Sequence, residues 1–443
     1  MKKNKGITLV ALVVTIVVLL ILAGVSINLV LGNNGIIAKA KDAETKSAEA
    51  SQNDLIGMNE LAQQLEEQIN GSTGSGSGNG GAGGSGAGTK VPAEATEETA
   101  PYFPDNTFTK KEGTIDTGLV IQDASGNEYV WVVVPKSLYN NTAYNSNNAK
   151  KPSSSTDYAN IEYCLQQYTA TYRKGTRYSD VYYADDKNVG WFADEAAYNN
   201  LKNSMLKSVY ENGGFYVGRY EAGIGTYRKS KSATNSDGKY TIEGMPTPVT
   251  KADAYPYTYV TRTQAQNLAR NVNSGTKTSS LMFGVQWDLV LAFMSKDTAK
   301  IISTDDLTSN STKIGNYSNA TFQLSQTGKY ATSSYGTLSS TWNPSTTATT
   351  NFVDSSRNKL AESGGNGILV TTGTSEKNKV MNIYDIAGNV CEWTLELTSY
   401  TGIPCAVRGG DYFGVGSSGP AALRGFEDAD RSDLRFGFRV SLF

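Results

Sequence analysis

The sequence predicts an α+β protein in three parts: a long N-terminal helix, a flexible linker, and a C-terminal head of short strands with few helices. Three observations carry this. Ile7 to Leu31 (ITLVALVVTIVVLLILAGVSINLVL) contains no charge. Gly71 to Gly88 (GSTGSGSGNGGAGGSGAG) contains no large apolar side chain. Beyond it, short apolar runs alternate with Gly-Asn and Gly-Gly pairs, which read as strands and turns.

The chain has 443 residues, longer than one ordinary domain, and its 39% hydrophobic content suffices for a core. The net charge of −2 leaves no general footprint for nucleic acid, so no such partner is expected. There is no His. That excludes His general bases, Ser-His-Asp and Cys-His catalysis, and His metal sites.

Lys2, Lys3 and Lys5 precede Gly6. The apolar run that follows spans about 37 Å as a helix, enough to cross a bilayer. The lysines keep its start cytoplasmic. A buried helix of a soluble protein and a cleaved secretory signal are the alternatives; against the second, the core is long and lacks a small-x-small exit. The basic leader ending in Gly6 resembles the class III leader of type IV prepilins. The resemblance implies a leader over 1–6, a prepilin peptidase cutting after Gly6, Ile7 as the methylated first residue, and other pilins as partners. Ala11 stands where most filament pilins carry a Glu kept for pairing during assembly. A simple membrane anchor is therefore the alternative.

Ile36, Ile37, Ala40, Ala43, then Leu55, Met58, Leu61, Leu65 and Ile69 continue a helical spacing, giving a transmembrane and stalk helix over 7–70. The linker runs over 71–104. Its Gly/Ser part spans about 23 Å as a random coil. Thr89 to Pro104 is acidic and Pro-bearing. The expected location is the cell envelope, membrane-anchored or pilus-associated, with the head outside.

The head occupies 105–443. Gly118 to Pro135 reads as a hairpin around Ser125-Gly126-Asn127. Lys136 to about Asn200 carries little period. Thr263–Val272 and Trp287–Met294 read as short helices, and Ser303 to about Asn351 as loops or irregular strands.

Three anchors lie near the C-terminus: Ile383 to Trp393 (IYDIAGNVCEW), Val407-Arg408-Gly409-Gly410 and Gly437-Phe438-Arg439-Val440. Residues 411–436 lie between the second and third without regular period. A long aperiodic loop pinned between anchors is where binding usually sits. The candidate ligand-binding residues are Asp411, Phe413, Val415, Ser418, Leu423, Phe426, Asp428, Arg431, Asp433 and Arg435, with Arg424 among the loop's cations. Aromatic and Arg side chains dominate binding hot spots. Tyr412 and Phe436, beside the anchors, read as core. The expected partner is a surface ligand, protein or glycan.

The anchors resemble the end of the formylglycine-generating-enzyme (sulfatase-modifying-factor) family. Phe215 to Glu221 (FYVGRYE), Pro248-Val249-Thr250 and Met282 to Trp287 (MFGVQW) extend the likeness upstream more loosely. The resemblance implies a C-type-lectin-like fold over roughly 115–443. Oxidase members bind copper through a Cys pair just before the terminal GFR. Here Pro420 to Phe436 has no Cys, so neither copper nor oxidase activity is expected. The family's structural calcium implies a Ca²⁺ site at Asp385, the carbonyls of Gly388 and Val390, and Glu392. The alternative is a tight turn with Glu392 paired to Arg408 or Arg439. Cys391 takes the place of the family's first Trp. A Cys391–Cys405 disulfide would close a short loop, worth about 3 kcal/mol; buried thiols are the alternative.

A lectin-like domain ending in GFRV with diverse residues before it also resembles the variable proteins of diversity-generating retroelements. Adenine mutagenesis of AAC codons cannot yield Lys, Gln, Met or Trp, and 411–436 contains none of them. Glu427 does not fit such a codon. The expectation is a non-enzymatic surface display protein with a hypervariable binding loop. A structural minor pilin and a modifying enzyme are the competing readings.

Overall fold

A computed structural model describes residues 92–93, 95–173, 178–184, 192–228, 240–334, 337–338, 342, 351–363, 365–400 and 402–443. The expected leader with Gly6 and Ile7, the 7–70 helix and most of the 71–104 linker lie outside the described residues. Residues 95–104, expected as linker, pack on the head instead. Thr99 is buried, its Oγ1 donating to the Gly213 carbonyl at 2.8 Å and accepting from Trp131 Nε1 at 2.8 Å.

In chain order the main elements are β1 (Thr109–Glu112), β2 (Val120–Gln122), β3 (Glu128–Val133), α1 (Tyr158–Tyr168), β4 (Tyr178–Ser179), α2 (Glu195–Asn212), β5 (Gly214–Gly218), α3 (Arg262–Arg270), β6 (Ser279–Leu281), α4 (Gly284–Met294), α5 (Thr304–Thr308), β7 (Tyr330–Ser334), β8 (Asn366–Val370), β9 (Cys391–Thr398), β10 (Cys405–Arg408), β11 (Arg424–Glu427), β12 (Phe436–Phe438) and β13 (Val440–Leu442). The fold expectation is corrected here. The described residues are mostly β-sheet with small helices, ending in a C-terminal β domain. Among them no helix is long and apolar enough to cross a membrane.

Two sheets organise the domain. The first has six strands in the order β1-β2-β3-β5-β13-β6. The expected hairpin is its β2–β3 pair, with Val120 opposite Val130. β13 sits between β5 and β6, antiparallel to both. The second sheet has five strands, β11-β10-β9-β12 in line with β4 also on β9. β9 and β12 run parallel, Glu392 opposite Gly437.

Local chemistry explains the helices. Asp194 caps α2 by accepting from the Ala197 amide at 2.8 Å, and Gly213 ends it in the left-handed region. Thr261 and Gln264 form a capping box at the start of α3. α4 is buried along its whole length, which accounts for its apolar sequence. Phe438 is fully buried, and Tyr412 and Phe436 are core as expected.

Candidate functional site

The turn before β9 is a structural hub. Asp385 and Asn389 have φ values of 56° and 57°, and Gly388 has 72°. A Cβ on Gly388 would lie 2.2 Å from the Asn316 carbonyl oxygen, so the Gly is required. Asn389 donates from Nδ2 to Glu221 Oε2 at 2.7 Å, and its Oδ1 accepts from the Val370 amide at 3.1 Å. At the neck of the loop, the Tyr317 hydroxyl lies 2.9 and 2.6 Å from the Gly409 and Gly419 carbonyls, which share its one proton. Trp287 Nε1 donates to the Ala421 carbonyl at 2.9 Å.

Residues 411–436 fall into three stretches. In the first, Asp411 Oδ1 accepts from the Phe413 amide at 2.9 Å and the Gly414 amide at 3.3 Å. Burial raises the Asp411 pKa, opposed by Arg435. Phe413 is a correction: expected at the surface, it is buried and stacked on Tyr412 at 4.6 Å. Both join Trp342, Leu369, Val390 and Leu434 in a small apolar cluster. Val415 is half-buried and Ser418 exposed.

The second stretch is β11, where no strand was expected. It forms the sheet's edge and pairs antiparallel with β10, Arg408 opposite Arg424. Leu423, just before it, is half-buried. Arg424 is also corrected. Its side chain is 5% exposed and lies in an ion network rather than on the surface. Its Nε donates to Glu396 Oε1 at 3.0 Å, and its other nitrogens reach Asp288 and the Tyr172 carbonyl. Arg408 joins from β10, with Nη2 donating to Asp288 Oδ1 at 2.8 Å and Nη1 to Glu396 Oε2 at 3.4 Å. Phe426 points outward, 43% exposed, with its ring 4.5 Å from Tyr400.

The third stretch carries the charges. Arg431 pairs with Asp433 at 2.5 Å and Arg435 with the same carboxylate at 3.4 Å. Arg431 lies 4.0 Å from Glu427. Both guanidiniums sit over the Phe436 ring, at 5.7 and 5.6 Å. Asp428 is exposed. The structure thus groups Arg431, Asp433 and Arg435 beside β11 and takes Phe413 and Arg424 out of the face. Tyr400 lies outside the loop and carried no sequence signal.

The calcium ligands are placed but do not fit a Ca²⁺ site. Both Glu392 oxygens accept from Arg439, the closest contact being 2.7 Å. Arg439 also donates to the carbonyls of Gly218, Tyr384 and Asp385. The guanidinium thus occupies both oxygens of Glu392. Asp385 accepts from the Gly373 amide at 2.9 Å and from Asn378 Nδ2 at 3.3 Å. The Val390 amide donates to Glu221, and the Gly388 amide to the Gly409 carbonyl. Burial raises the pKa values of Glu221, Asp385 and Glu392. Among the described residues no group of three or more Cys, Asp or Glu could hold a metal ion.

The Cys391–Cys405 disulfide is corrected as well. The β9–β10 register sets Cys405 opposite Leu397, six residues along β9 from Cys391. That is about 20 Å of strand, against the roughly 6 Å between Cα atoms that a disulfide spans. Cys391 instead donates weakly to Asp411 Oδ2 at 3.8 Å, and burial pushes its thiol pKa well up.

Fold and face together define a β-rich domain with an edge strand and a charged, partly aromatic surface. No protein-family model and no curated protein matches the chain. One solved structure, described as Treponema denticola variable protein 1, is similar at 11% identity over 76% of this chain and 99% of that chain, with a TM-score of 0.22. At that score the likeness carries no argument. Neither the prepilin nor the formylglycine-generating-enzyme resemblance is confirmed.

Proposed function

We propose that the domain is a non-catalytic binding module, and that β11 with residues 428–435 forms its contact face for a protein or glycan. The observation that carries this is Phe426, a large ring left 43% exposed on an edge strand beside Tyr400. Arg431 and Arg435 stand close by, and aromatic and Arg side chains contribute most where surfaces meet. The absence of His and the buried, protonated Cys391 thiol argue against a nucleophilic or acid–base enzyme. The proposal extends to sequence variability within 411–436, motivated by its lack of Lys, Gln, Met and Trp.

The test compares the full chain with the triple variant Phe426→Ser, Arg431→Ser, Arg435→Ser on protein and glycan arrays, with thermal melting of both. The triple variant is expected to melt close to the parent and lose its array signals. Signals that survive in a folded triple variant would place the contact face elsewhere. Sequencing the gene from many isolates tests variability: substitutions spread evenly across the domain would refute it.

A further inference from the structure

We propose that a second site, an open surface depression of about 410 Å³ formed by α5, residues 310–321 and Lys377, binds an acidic sugar: a hydroxyl-bearing ring that carries one carboxylate. Its volume lies within the range of small-molecule pockets. The side chains that line it are all polar or charged in type, with their carbon stems exposed beside the polar ends.

The depression presents an ammonium without a counter-charge. Lys377 is half-buried, and its Nζ donates to the Thr321 carbonyl at 2.5 Å. Among the described residues it meets no carboxylate, and burial depresses its pKa. Lys313 adds a second ammonium, 3.2 Å from Asp306. A carboxylate in the depression satisfies Lys377. Asp305 and Asp306 oppose any anion, but a phosphate dianion about twice as strongly as a single carboxylate, and the two lysines offset their pull on a cation.

The remaining groups suit hydroxyls. Asn310 Oδ1 accepts from the Thr312 amide at 3.1 Å and from Thr312 Oγ1 at 2.7 Å. Asn319 Oδ1 accepts from the Gly416 amide at 3.2 Å. These bonds fix both amides, so the two Nδ2 donors, which have no protein acceptor among the described residues, are pre-oriented. Asp305 accepts from Ser309 Oγ on Oδ1 alone, leaving Oδ2 for a hydroxyl donor. Fixed donors and acceptors side by side match a ring whose hydroxyls both give and take hydrogen bonds. Firm walls lower the ordering cost of binding. They are fastened to the loop: Ser318 donates to the Gly414 carbonyl from its amide and hydroxyl, each at 2.9 Å. The site shares no residue with the Phe426 face.

The test is calorimetric titration of the full chain with D-glucuronate, D-glucose and acetate. Glucuronate is expected to bind in the low millimolar range, with glucose and acetate each about tenfold weaker, or about 1.4 kcal/mol. Lys377→Gln should reduce glucuronate to the level of glucose, and Lys377→Arg should keep the preference. Asn310→Ala, at an exposed position, should weaken both sugars. Phe426→Ser should change nothing, which separates this site from the contact face. No binding of glucuronate, equal binding of acetate, an unchanged preference in folded Lys377→Gln, or loss of binding in Phe426→Ser would each overturn the proposal. Melting curves establish folding; if Lys377→Gln does not fold, the glucose and acetate comparison and Asn310→Ala still decide.

Discussion

Replacing Arg424 with Met tests whether the loop's middle stretch belongs to the framework. The side chain is 5% exposed and binds Asp288, Glu396 and the Tyr172 carbonyl. After its loss, Asp288 keeps Arg408 at 2.8 Å and Arg173 at 3.1 Å. Glu396 keeps Arg408 alone, at 3.4 Å. The cost therefore falls on Glu396, a buried carboxylate left half-paired. Breaking a buried pair costs about 3–5 kcal/mol, and the surviving Arg408 contact puts this case near the lower end. At about 2 °C per kcal/mol for a domain of this size, melting should fall by about 6 °C. The loss should also depend on pH. Burial already raises the Glu396 pKa, with Arg424 and Arg408 opposing. Without Arg424 it rises further. A carboxylate raised on folding favours the folded state below its unfolded pKa, and loses that contribution as pH climbs through the folded value. The Arg424→Met penalty should therefore be smaller at pH 5 than at pH 8, measured by circular-dichroism melting. A variant that melts with the parent at pH 8, or whose penalty grows on acidification, would refute the network's structural role.

Phe413→Ala should cost about 3–5 kcal/mol as a buried aromatic, while Phe426→Ser should stay within about ±0.5 kcal/mol; equal melting losses for the two would contradict the burial described. Glu392→Gln should lower melting by breaking its pair with Arg439, and added calcium or chelator should leave the parent's melting unchanged; a calcium-dependent rise would reinstate an ion at the turn. Burial lowers the Lys359 ammonium pKa to about 8, below its ordinary 10.5, while Nζ donates to the Ser318, Ala320 and Leu360 carbonyls at 2.8–3.1 Å. The cost of holding that charge is full below pH 8 and is relieved as pH rises toward 10.5, so the parent should gain stability relative to Lys359→Met from pH 7.5 to 9.5; a constant difference would contradict this.

Where local rules and packing agreed, the sequence was readable. The β2–β3 hairpin announced itself through its Ser-Gly-Asn turn, and α3 was expected over Thr263–Val272, close to its observed Arg262–Arg270. Tyr412 and Phe436 read as core because they adjoin Gly-bearing anchors. α1 and α2 went unread because Tyr, Asn and Ser dilute their spacing. Yet Ile161, Cys164 and Leu165, and Tyr198, Met205, Leu206 and Val209, are the buried positions at helical intervals. Within 411–436 the errors were of one kind. Arg424 looks like a surface residue by type and Phe413 was placed outward with the aperiodic loop that holds it, and nothing local records partners such as Asp288, 136 residues away. The Cys391–Cys405 pairing failed because closeness in sequence said nothing of register. Glu392 was correctly given Arg439 as one of two alternatives, but the choice depends on the parallel β9–β12 pairing, which no short motif encodes.

The position of β13 bears on synthesis. It joins β5 to β6 across the six-stranded sheet, but leaves the ribosome after residues 411–436. Until it emerges, two strands made 224 and 161 residues earlier, at Val217 and Ser280, have no common neighbour, so the nascent chain waits unfinished. A stop codon or frameshift anywhere in 411–436 removes this keystone. Cellular proteolysis would then discard such products, while in-frame substitutions at exposed positions pass. A segment placed there can change its letters at exposed positions but not its reading frame.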